Sequence, residues 1–236
     1  MRLHNERHTV LMSPADSKLI ENLYKLDIDV IPTLPNKSLR TNEQYHADMQ
    51  LLVINKTAFV SESIIELYDI LKGYFDELIV CEKGKESYPD NVFLNAAFID
   101  NKLYCKVKSL SIKVKEYCES QGIELVNVNQ GYTKCSTLIV NDKAIITADP
   151  TIHKAAKTNG VKSLLITPGF IKLDGADYGF IGGSSGKVGD TVIFFGNILR
   201  HPDCDKIIDF LKCENTHYCC ISEDVMNDIG GLVELS

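Results

Sequence analysis

The architecture of this chain can be worked out from the stretch STLIVNDKAIIT, which runs from Ser136 to Thr147. Two strand-like runs, Ser136–Val140 and Lys143–Thr147, flank the pair Asn141-Asp142. Asn and Asp tolerate the positive φ angles that two-residue hairpin turns require. The stretch therefore predicts a β-hairpin, and the rest of the chain can be searched for the same pattern.

The hairpin pattern recurs three times. In these copies Gln50–Ile54 and Thr57–Val60 flank Asn55-Lys56, Val92–Ile99 and Lys102–Cys105 flank Asp100-Asn101, and Thr191–Phe195 and Ile198–Arg200 flank Gly196-Asn197. Each hairpin is followed by a helix signal, such as the N-cap residue Asp149 before Pro150, and then by another strand. The chain thus contains four copies of a unit of about 45 residues with the order strand, turn, strand, helix, strand.

A shortened fifth copy begins the sequence. Strand His8–Met12, a helix from Ser13-Pro14 and strand Ile28–Ile31 lack only the first hairpin strand. The segment Gly231–Leu235 has the pattern of a lone strand that could supply it. Pairing of these ends would close a ring and remove exposed sheet edges. A doubly wound sheet has no hairpins, so the repeated hairpins argue against that fold.

This layout resembles the pentein fold, which guanidino-group-modifying enzymes share with ribosome anti-association factors. More closely, the sequence is similar to an uncharacterised bacterial family with that fold. The resemblance is carried by Tyr45–Gln50, Gln130–Thr137, Pro168–Phe170 and Gly182–Gly186 and covers essentially the whole chain. It implies an α/β protein with one pentein-like domain, residues 1–236, in which five ββαβ repeats form a pseudosymmetric α/β propeller closed by the terminal strands.

The composition narrows the class of protein. A formal net charge of −7 argues against nucleic-acid binding, which requires a basic face. No apolar run is long enough to cross a bilayer, and Met1–His8 lacks the apolar stretch of a signal peptide, so we expect a cytoplasmic protein. The eight cysteines form no Cys-x-x-Cys pair, and we expect free thiols, no metal and no cofactor.

Chemically versatile side chains cluster where the first strands of the units should converge. His46 and Asp48 are two residues apart, so on a strand they would face the same way. An imidazole beside a carboxylate can act as a general acid and base. The resemblance implies that His46 is the acid/base and that Asp48 contacts a cationic substrate. The alternative is a structural pair at the entry to a strand.

Cys135 lies in a Gly-containing turn before a strand, in the segment Gly131–Thr137. The resemblance implies a nucleophilic thiolate that attacks an amidine or amide carbon, with His46 protonating the leaving amine. The adjacent Lys134 could favour the thiolate. The alternative is a buried free cysteine. In the similar enzymes the nucleophile belongs to the last repeat, whereas almost two units follow Cys135 here.

Two further segments are candidate substrate contacts. Asn95 lies in a segment comparable to the one where the similar enzymes place a carboxylate, and its amide cannot neutralise a cation, so an amide or another polar ligand is a more plausible substrate than a guanidinium. The Gly-rich stretch that contains Gly183, Ser184 and Ser185 could cradle an anion with its backbone amides, or form a tight structural turn. The long stretch Pro168–Asp190 suggests a rim loop or lid.

These features leave several functions open. The first is a Cys/His-dependent hydrolase or amidino-type transferase that acts on an amidine or amide of a small polar molecule in the central channel. The second is a non-catalytic pentein that binds a protein, a ribosomal particle or a small ligand, because a fold alone does not fix a function. The third is an ancestral enzyme that kept its pocket and lost turnover.

Overall fold

A computed structural model describes residues 7–14 and 16–235, and this part of the chain forms fifteen strands and five α-helices. The expectation about a signal peptide was drawn from Met1–His8, and Met1–Glu6 of that segment lie outside the described residues. The strands are β1 (His8–Met12), β2 (Ile28–Pro32), β3 (Leu51–Ile54), β4 (Thr57–Ser61), β5 (Glu77–Cys81), β6 (Ala97–Ile99), β7 (Lys102–Cys105), β8 (Glu124–Asn127), β9 (Thr137–Asn141), β10 (Ala144–Thr147), β11 (Lys162–Leu165), β12 (Ser185–Val188), β13 (Thr191–Phe194), β14 (His217–Cys220) and β15 (Leu232–Leu235). The helices are α1 (Ser17–Tyr24), α2 (Tyr68–Leu71), α3 (Ile112–Gln121), α4 (Pro150–Thr158) and α5 (Cys204–Cys213).

The strands form five sheets of three strands, one sheet for each predicted unit. In every sheet the middle strand pairs antiparallel with the first strand and parallel with the last. The sheet β15-β1-β2 joins the two ends of the chain, with Leu11 opposite Val233. The predicted five-unit α/β propeller, closed by the terminal strands, is therefore confirmed.

Hydrophobic packing holds the five sheets together as a ring. Among the described residues, five apolar clusters each join two neighbouring sheets and bury the apolar side of one helix between them. In one of them Ile152 and Ala156 of α4 pack with Ile145 of β10 and with Ala97 of β6. Because each cluster spans two units, burial of apolar surface favours the closed ring over separate sheets.

The local signals for helix ends agree with the structure. The Asp149 carboxylate accepts hydrogen bonds from the N–H groups of Thr151 and Ile152, at 2.7 and 3.0 Å, and Pro150 is the first residue of α4. Gly122 ends α3 with a φ of 65°. The helix predicted after β4 is irregular, because Glu62–Leu67 forms a 3-10 helix before the short α2.

The fourth hairpin was predicted with the wrong partner strand, because Thr191–Phe194 pairs with the strand before it and not with the segment after it. Residues Thr191–Phe194 pair with Ser185–Val188 through a turn at Gly189-Asp190, and Ile198–Arg200 forms a 3-10 helix. The glycines and serines before the turn have weak strand propensity and therefore resembled a loop. Gly186 is required by packing, because a Cβ atom there would collide with the Leu232 side chain of β15. The long predicted loop Pro168–Asp190 accordingly contains β12.

Two other predicted strands are shorter than expected, and this places the candidate site in turns. Of Val92–Ile99 only Ala97–Ile99 is a strand, and Asp90–Val92 is a 3-10 helix. His46 immediately precedes a 3-10 helix, Ala47–Met49, so the prediction that His46 and Asp48 share a strand face was wrong. None of the helices in the described part of the chain has the length and apolarity needed to cross a membrane.

Candidate functional site

The candidate site is built from segments that lie just before the first strands of the units. Asp48 belongs to the 3-10 turn before β3, and its N–H donates to the Gly230 carbonyl at 3.2 Å. Asn95 closes a turn onto the Val92 carbonyl at 3.0 Å before β6 begins. Cys135 precedes β9. Because these first strands line the axis, the turns that precede them meet at one end of it.

His46, Asp48 and Cys135 come together at this end. One ring nitrogen of His46, one carboxylate oxygen of Asp48 and the Cys135 sulfur all lie within 4.8 Å of one another. The three residues are 4%, 2% and 2% exposed. The structure therefore brings together the imidazole, carboxylate and thiol that the sequence singled out, although a 3-10 turn rather than a strand delivers the first two.

Asn95 holds the thiol in place. Its Nδ2 group donates to the Cys135 sulfur at 3.1 Å and to the Asp48 carbonyl at 2.9 Å, and it also contacts the Met49 sulfur. Its Oδ1 atom accepts from the N–H groups of Lys134 and Cys135 at 2.7 and 3.3 Å. Both ends of the Asn95 amide are thus hydrogen-bonded to protein groups around Cys135, and we call this arrangement the Asn95 clamp.

The Asp48 carboxylate lacks the partners that a buried acid usually has. Neither of its oxygens accepts a hydrogen bond from an N–H or O–H group in the described part of the chain, and the weakly donating Cys135 thiol is its hydrogen-bonding neighbour. Burial raises the pKa of the Asp48 carboxyl to about 6, and the charges of His46 and Lys134 oppose that rise. A buried carboxylate without a stronger donor is costly, and a cation or a proton on it would lower that cost.

Asp228 is a second buried carboxylate at the site, and the sequence reasoning missed it. Its oxygens accept from the N–H groups of Phe180 and Gly230 at 2.8 and 3.0 Å. Burial raises the pKa of the Asp228 carboxyl, and His46 opposes that rise. Asp228 lies four residues before β15, so the signal was available: it occupies the stretch before a first strand, as Asp48 does.

Glu43 adds a third carboxyl group near His46. It is 6% exposed and accepts a hydrogen bond from the Tyr132 hydroxyl at 3.2 Å. Burial raises the pKa of Glu43, whereas Tyr132 and His46 lower it. The surroundings of His46 therefore contain three carboxyl groups that are buried or nearly so, from Glu43, Asp48 and Asp228.

Gly183, Ser184 and Ser185 lie beside this cluster, with their polar groups engaged inside the protein. The Gly183 N–H donates to the Cys135 carbonyl at 2.9 Å. The hydroxyls of Ser184 and Ser185 both donate to the Ile181 carbonyl, at 3.2 and 2.5 Å. A Cβ atom on residue 183 would collide with the Asp228 carboxylate. This segment thus forms a packed wall of the site rather than an open anion cradle.

The Cys135 thiol is shielded from solvent, and nearby negative charge disfavours its thiolate form. It packs with Leu39, Met49 and Val92, and the rings of Tyr132 and Phe180 lie against the same apolar cluster. Burial raises the pKa of the thiol well above its ordinary value, and negative charge on Asp48 and Asp228 adds to the rise. The thiol is therefore protonated in this state and needs a compensating positive charge or a base before it can react.

A cavity of about 370 Å³ leads from the surface to His46 and Asp228. Its walls are polar and include Asp16, Asn42 and Asp174. The Asp174 carboxylate pairs with Lys172 at 2.9 Å. Two of the lining residues, His46 and Asp228, thus belong to the buried cluster, whereas Asp48 and Cys135 do not line this cavity.

The same three side chains could also hold a metal ion. A thiolate, an imidazole and a carboxylate are all zinc ligands, and a set within 4.8 Å could converge on one ion. The absence of Cys-x-x-Cys spacing had led us to expect no metal, but these ligands come from separate turns and have no spacing signature. Metal content is therefore a control in any assay of the site.

Comparisons with known proteins agree with the fold. The profile of a family described as "Family of unknown function (DUF6873)" matches residues 11–233. No curated protein matches the sequence significantly. Among solved structures, a variant of DDAH from Pseudomonas aeruginosa in complex with citrulline is 8% identical, with a TM-score of 0.56 and 91% of each chain covered.

Two amidinotransferases are similar to the same degree. The inosamine-phosphate amidinotransferase StrB1 from Streptomyces griseus is 11% identical, with a TM-score of 0.58 over 92% of this chain and 78% of its own. The amidinotransferase SxtG from Microseira wollei, of a saxitoxin biosynthetic pathway, is 10% identical, with a TM-score of 0.58 over 93% and 78%. At such low identity these similarities establish the pentein fold of this chain but do not identify a reaction.

Proposed function

The chain belongs to the DUF6873 family of unknown function, and we propose that it is a cysteine-dependent hydrolase or amidino-group transferase that acts on a small cationic amidine. The observation that carries the proposal is the meeting of the Cys135 thiol, the His46 imidazole and the buried Asp48 carboxylate within 4.8 Å. The similar solved structures, a DDAH with citrulline and two amidinotransferases, support the same reaction class.

The charges around His46 favour a cationic substrate over a neutral amide. Asp48, Asp228 and Glu43 are buried carboxyl groups, and burial raises the pKa of each of them. A planar amidinium presents N–H donors and a positive charge, which match the Asp48 oxygens, since these accept from no N–H or O–H group in the described part of the chain. Asn95 had suggested a neutral ligand, but Asp228 supplies a buried carboxylate from a different segment.

The same cation would activate the nucleophile. Because the negative charges of Asp48 and Asp228 raise the pKa of Cys135, a bound amidinium that offsets them lowers that pKa. The thiol proton then passes to His46, and the sulfur forms a bond to the amidine carbon. When the resulting tetrahedral adduct collapses, the carbon–nitrogen bond breaks and His46 protonates the leaving amine. Water, or an acceptor amine in a transferase, breaks the carbon–sulfur bond and restores the thiol.

The other predicted residues have supporting roles in this proposal. Asn95 acts as a positioning residue, because its amide is bonded to the thiol and to the chain around it. Gly183 allows the Asp228 carboxylate to approach the backbone closely, and Ser184 and Ser185 fix the wall behind Cys135. We propose that the substrate enters through the cavity that ends at His46 and Asp228.

The test compares two alkylating reagents, 2-chloroacetamidine and its neutral isostere 2-chloroacetamide, with labelling followed by mass spectrometry of each thiol in metal-free protein. We expect the amidine to label Cys135 first, with a preference over the amide that the exposed Cys213 does not show. Cys135→Ser should abolish the preferential labelling. If Cys213 and Cys220 react while Cys135 stays unmodified with both reagents, the enzymatic proposal is wrong.

The second candidate is a non-catalytic ligand-binding pentein. It is favoured by one observation: the Cys135 thiol is only 2% exposed and its pKa is raised, as expected of an inert core cysteine. In that case an amidine would bind reversibly in the cavity without any covalent adduct. Calorimetric binding of acetamidine to a protein whose Cys135 remains unlabelled by 2-chloroacetamidine would identify this function.

A further inference from the structure

A second cavity, of about 430 Å³, lies along the propeller axis, and we call it the lumen. Its lining comes from the first strands of all five sheets, β3, β6, β9, β12 and β15, and from the turns beside them. It shares no lining residue with the cavity that reaches His46 and Asp228. The lumen is therefore a separate space, on the side of the axis towards the hairpin turns.

The wall of the lumen is apolar at equivalent positions of the repeats. Half-buried residues on the first strands face each other there, and they are Val53, Phe98, Ile139, Lys187 and Val233. Val53, Phe98 and Lys187 each pair with the second residue of their middle strand, so they occupy matching places in their units. Lys187 is thus the single ammonium in a collar that is otherwise aliphatic or aromatic.

The positive charge in this collar has no counter-ion. Lys187 forms no ion pair with any described acid. Lys134 also lines the lumen, but its charge acts on the buried Asp48 carboxyl. Of the acids in the lining, Glu234 already accepts from His8 at 2.7 Å and from the Gly189 N–H. Asp142 is exposed at the hairpin turn. The unpaired Lys187 ammonium beside apolar walls therefore favours an anion that carries a hydrocarbon chain.

From this arrangement we infer that the lumen binds a small aliphatic carboxylate, with its carboxylate at Lys187 and its hydrocarbon chain between Val53, Phe98 and Ile139. An ammonium–carboxylate contact is a charge-assisted hydrogen bond, and apolar walls beside it lower the local dielectric and strengthen it. The apolar walls distinguish this ligand from inorganic phosphate, whose charge they cannot solvate. Lys187 lies outside the cluster around Cys135 and outside the cavity at His46, so the inference does not rest on the proposed chemistry at Cys135.

Isothermal titration calorimetry with hexanoate tests the inference, with hexanamide as the neutral isostere. Lys187→Met removes the charge and keeps the apolar stem. Lys143→Met removes the same charge from an exposed position beside the turn between β9 and β10, outside the lumen lining. We expect saturable hexanoate binding that Lys187→Met weakens roughly tenfold or more and Lys143→Met leaves nearly unchanged. Hexanamide should bind much more weakly than hexanoate.

A third variant, Cys135→Ser, separates this site from the proposed active site, and binding of hexanoate should survive it. Circular dichroism and thermal unfolding show whether each variant is folded. The inference is overturned if the wild-type protein does not bind hexanoate or if hexanamide binds equally well. It is also overturned if Lys187→Met and Lys143→Met weaken binding alike, or if Cys135→Ser abolishes it.

Discussion

The side-chain amide of Asn95 donates a hydrogen bond to the Cys135 sulfur at 3.1 Å, and its oxygen accepts from the backbone N–H of the same cysteine at 3.3 Å. One side chain therefore fixes both the thiol and the backbone that carries it. These two residues belong to neighbouring units, so the contact also couples the two sheets at the axis. The relationship makes Asn95 a sensitive position for mutation.

We expect Asn95→Asp to destabilise the protein by about 1–3 kcal/mol, because the variant lacks the amide donors and places another acid beside Asp48. Urea unfolding at neutral pH measures the change. Asn129→Asp is the control, since Asn129 lies in the loop after β8 and contributes only its backbone carbonyl, to Lys106. Equal stability of the two variants would contradict the clamp role of Asn95.

We expect His46→Ala to slow the labelling of Cys135 by 2-chloroacetamidine by roughly tenfold or more, because the imidazole lies within 4.8 Å of the sulfur and is the base that accepts the thiol proton in our proposal. The rate is measured by mass spectrometry at pH 7.5, a value chosen near the ordinary operating range of such bases. His217→Ala is the matched control, because His217 is exposed on β14. A labelling rate unchanged by His46→Ala would remove the imidazole from the proposed mechanism.

The raised pKa of Asp48 predicts a specific pH dependence of stability. A carboxyl with a pKa of about 6 in the folded state and an ordinary value of 3.8 in the unfolded state binds more protons when folded. The free energy of unfolding contributed by Asp48 therefore falls as the pH rises from about 4 to above 6, by about 3 kcal/mol in total. Asp48→Asn should consequently gain stability relative to the wild type over this range.

Urea unfolding of the wild type and Asp48→Asn at several pH values between about 4 and 7.5 checks this prediction. The exposed Asp174→Asn serves as a control, and its difference from the wild type should not grow with rising pH. A constant difference between Asp48→Asn and the wild type would mean that Asp48 titrates at its ordinary pKa. A loss of stability at high pH in Asp48→Asn would reverse the sign and refute the prediction.

We expect Gly183→Ala to destabilise the protein by about 1–3 kcal/mol, because the added methyl group would collide with the buried Asp228 carboxylate. Gly73→Ala is a matched control: a Cβ atom there meets only the Ile70 carbonyl, at an ordinary 3.5 Å. Thermal unfolding measured side by side distinguishes the two. If Gly183→Ala is as stable as Gly73→Ala, the close packing of residue 183 against Asp228 is not required.

Much of the ring could be predicted from the sequence because its signals are local. The turn residues Asn55 and Asp100 adopt positive φ angles, and Asp149-Pro150 starts a helix through its own chemistry. The fourth hairpin could not be placed in this way. Gly186 is required for its close contact with Leu232 of β15, a strand of a different sheet, and no local rule contains that requirement.

The candidate site was predictable only in part for the same reason. His46, Asp48 and Cys135 stood out because they precede recognisable strands, and the structure places them together. Asp228 precedes the lone terminal strand, which belongs to the first sheet only after the ring closes. We propose an amidine rather than an amide as the substrate because of the negative charge of Asp228. The long-range pairing brings this charge to the site, and sequence spacing alone did not reveal it.

The pairing of β15 with β1 has a consequence for the order in which the molecule is made. The ribosome synthesises the chain from its N-terminus, so β1 is made more than two hundred residues before its antiparallel partner β15. Until then Asp48 lacks its anchor on Gly230, and the carboxylate of Asp228 is missing beside His46. The turn that contains Cys135 can therefore form in the nascent polypeptide. The charges that surround the thiol are complete only after β15 has paired with β1.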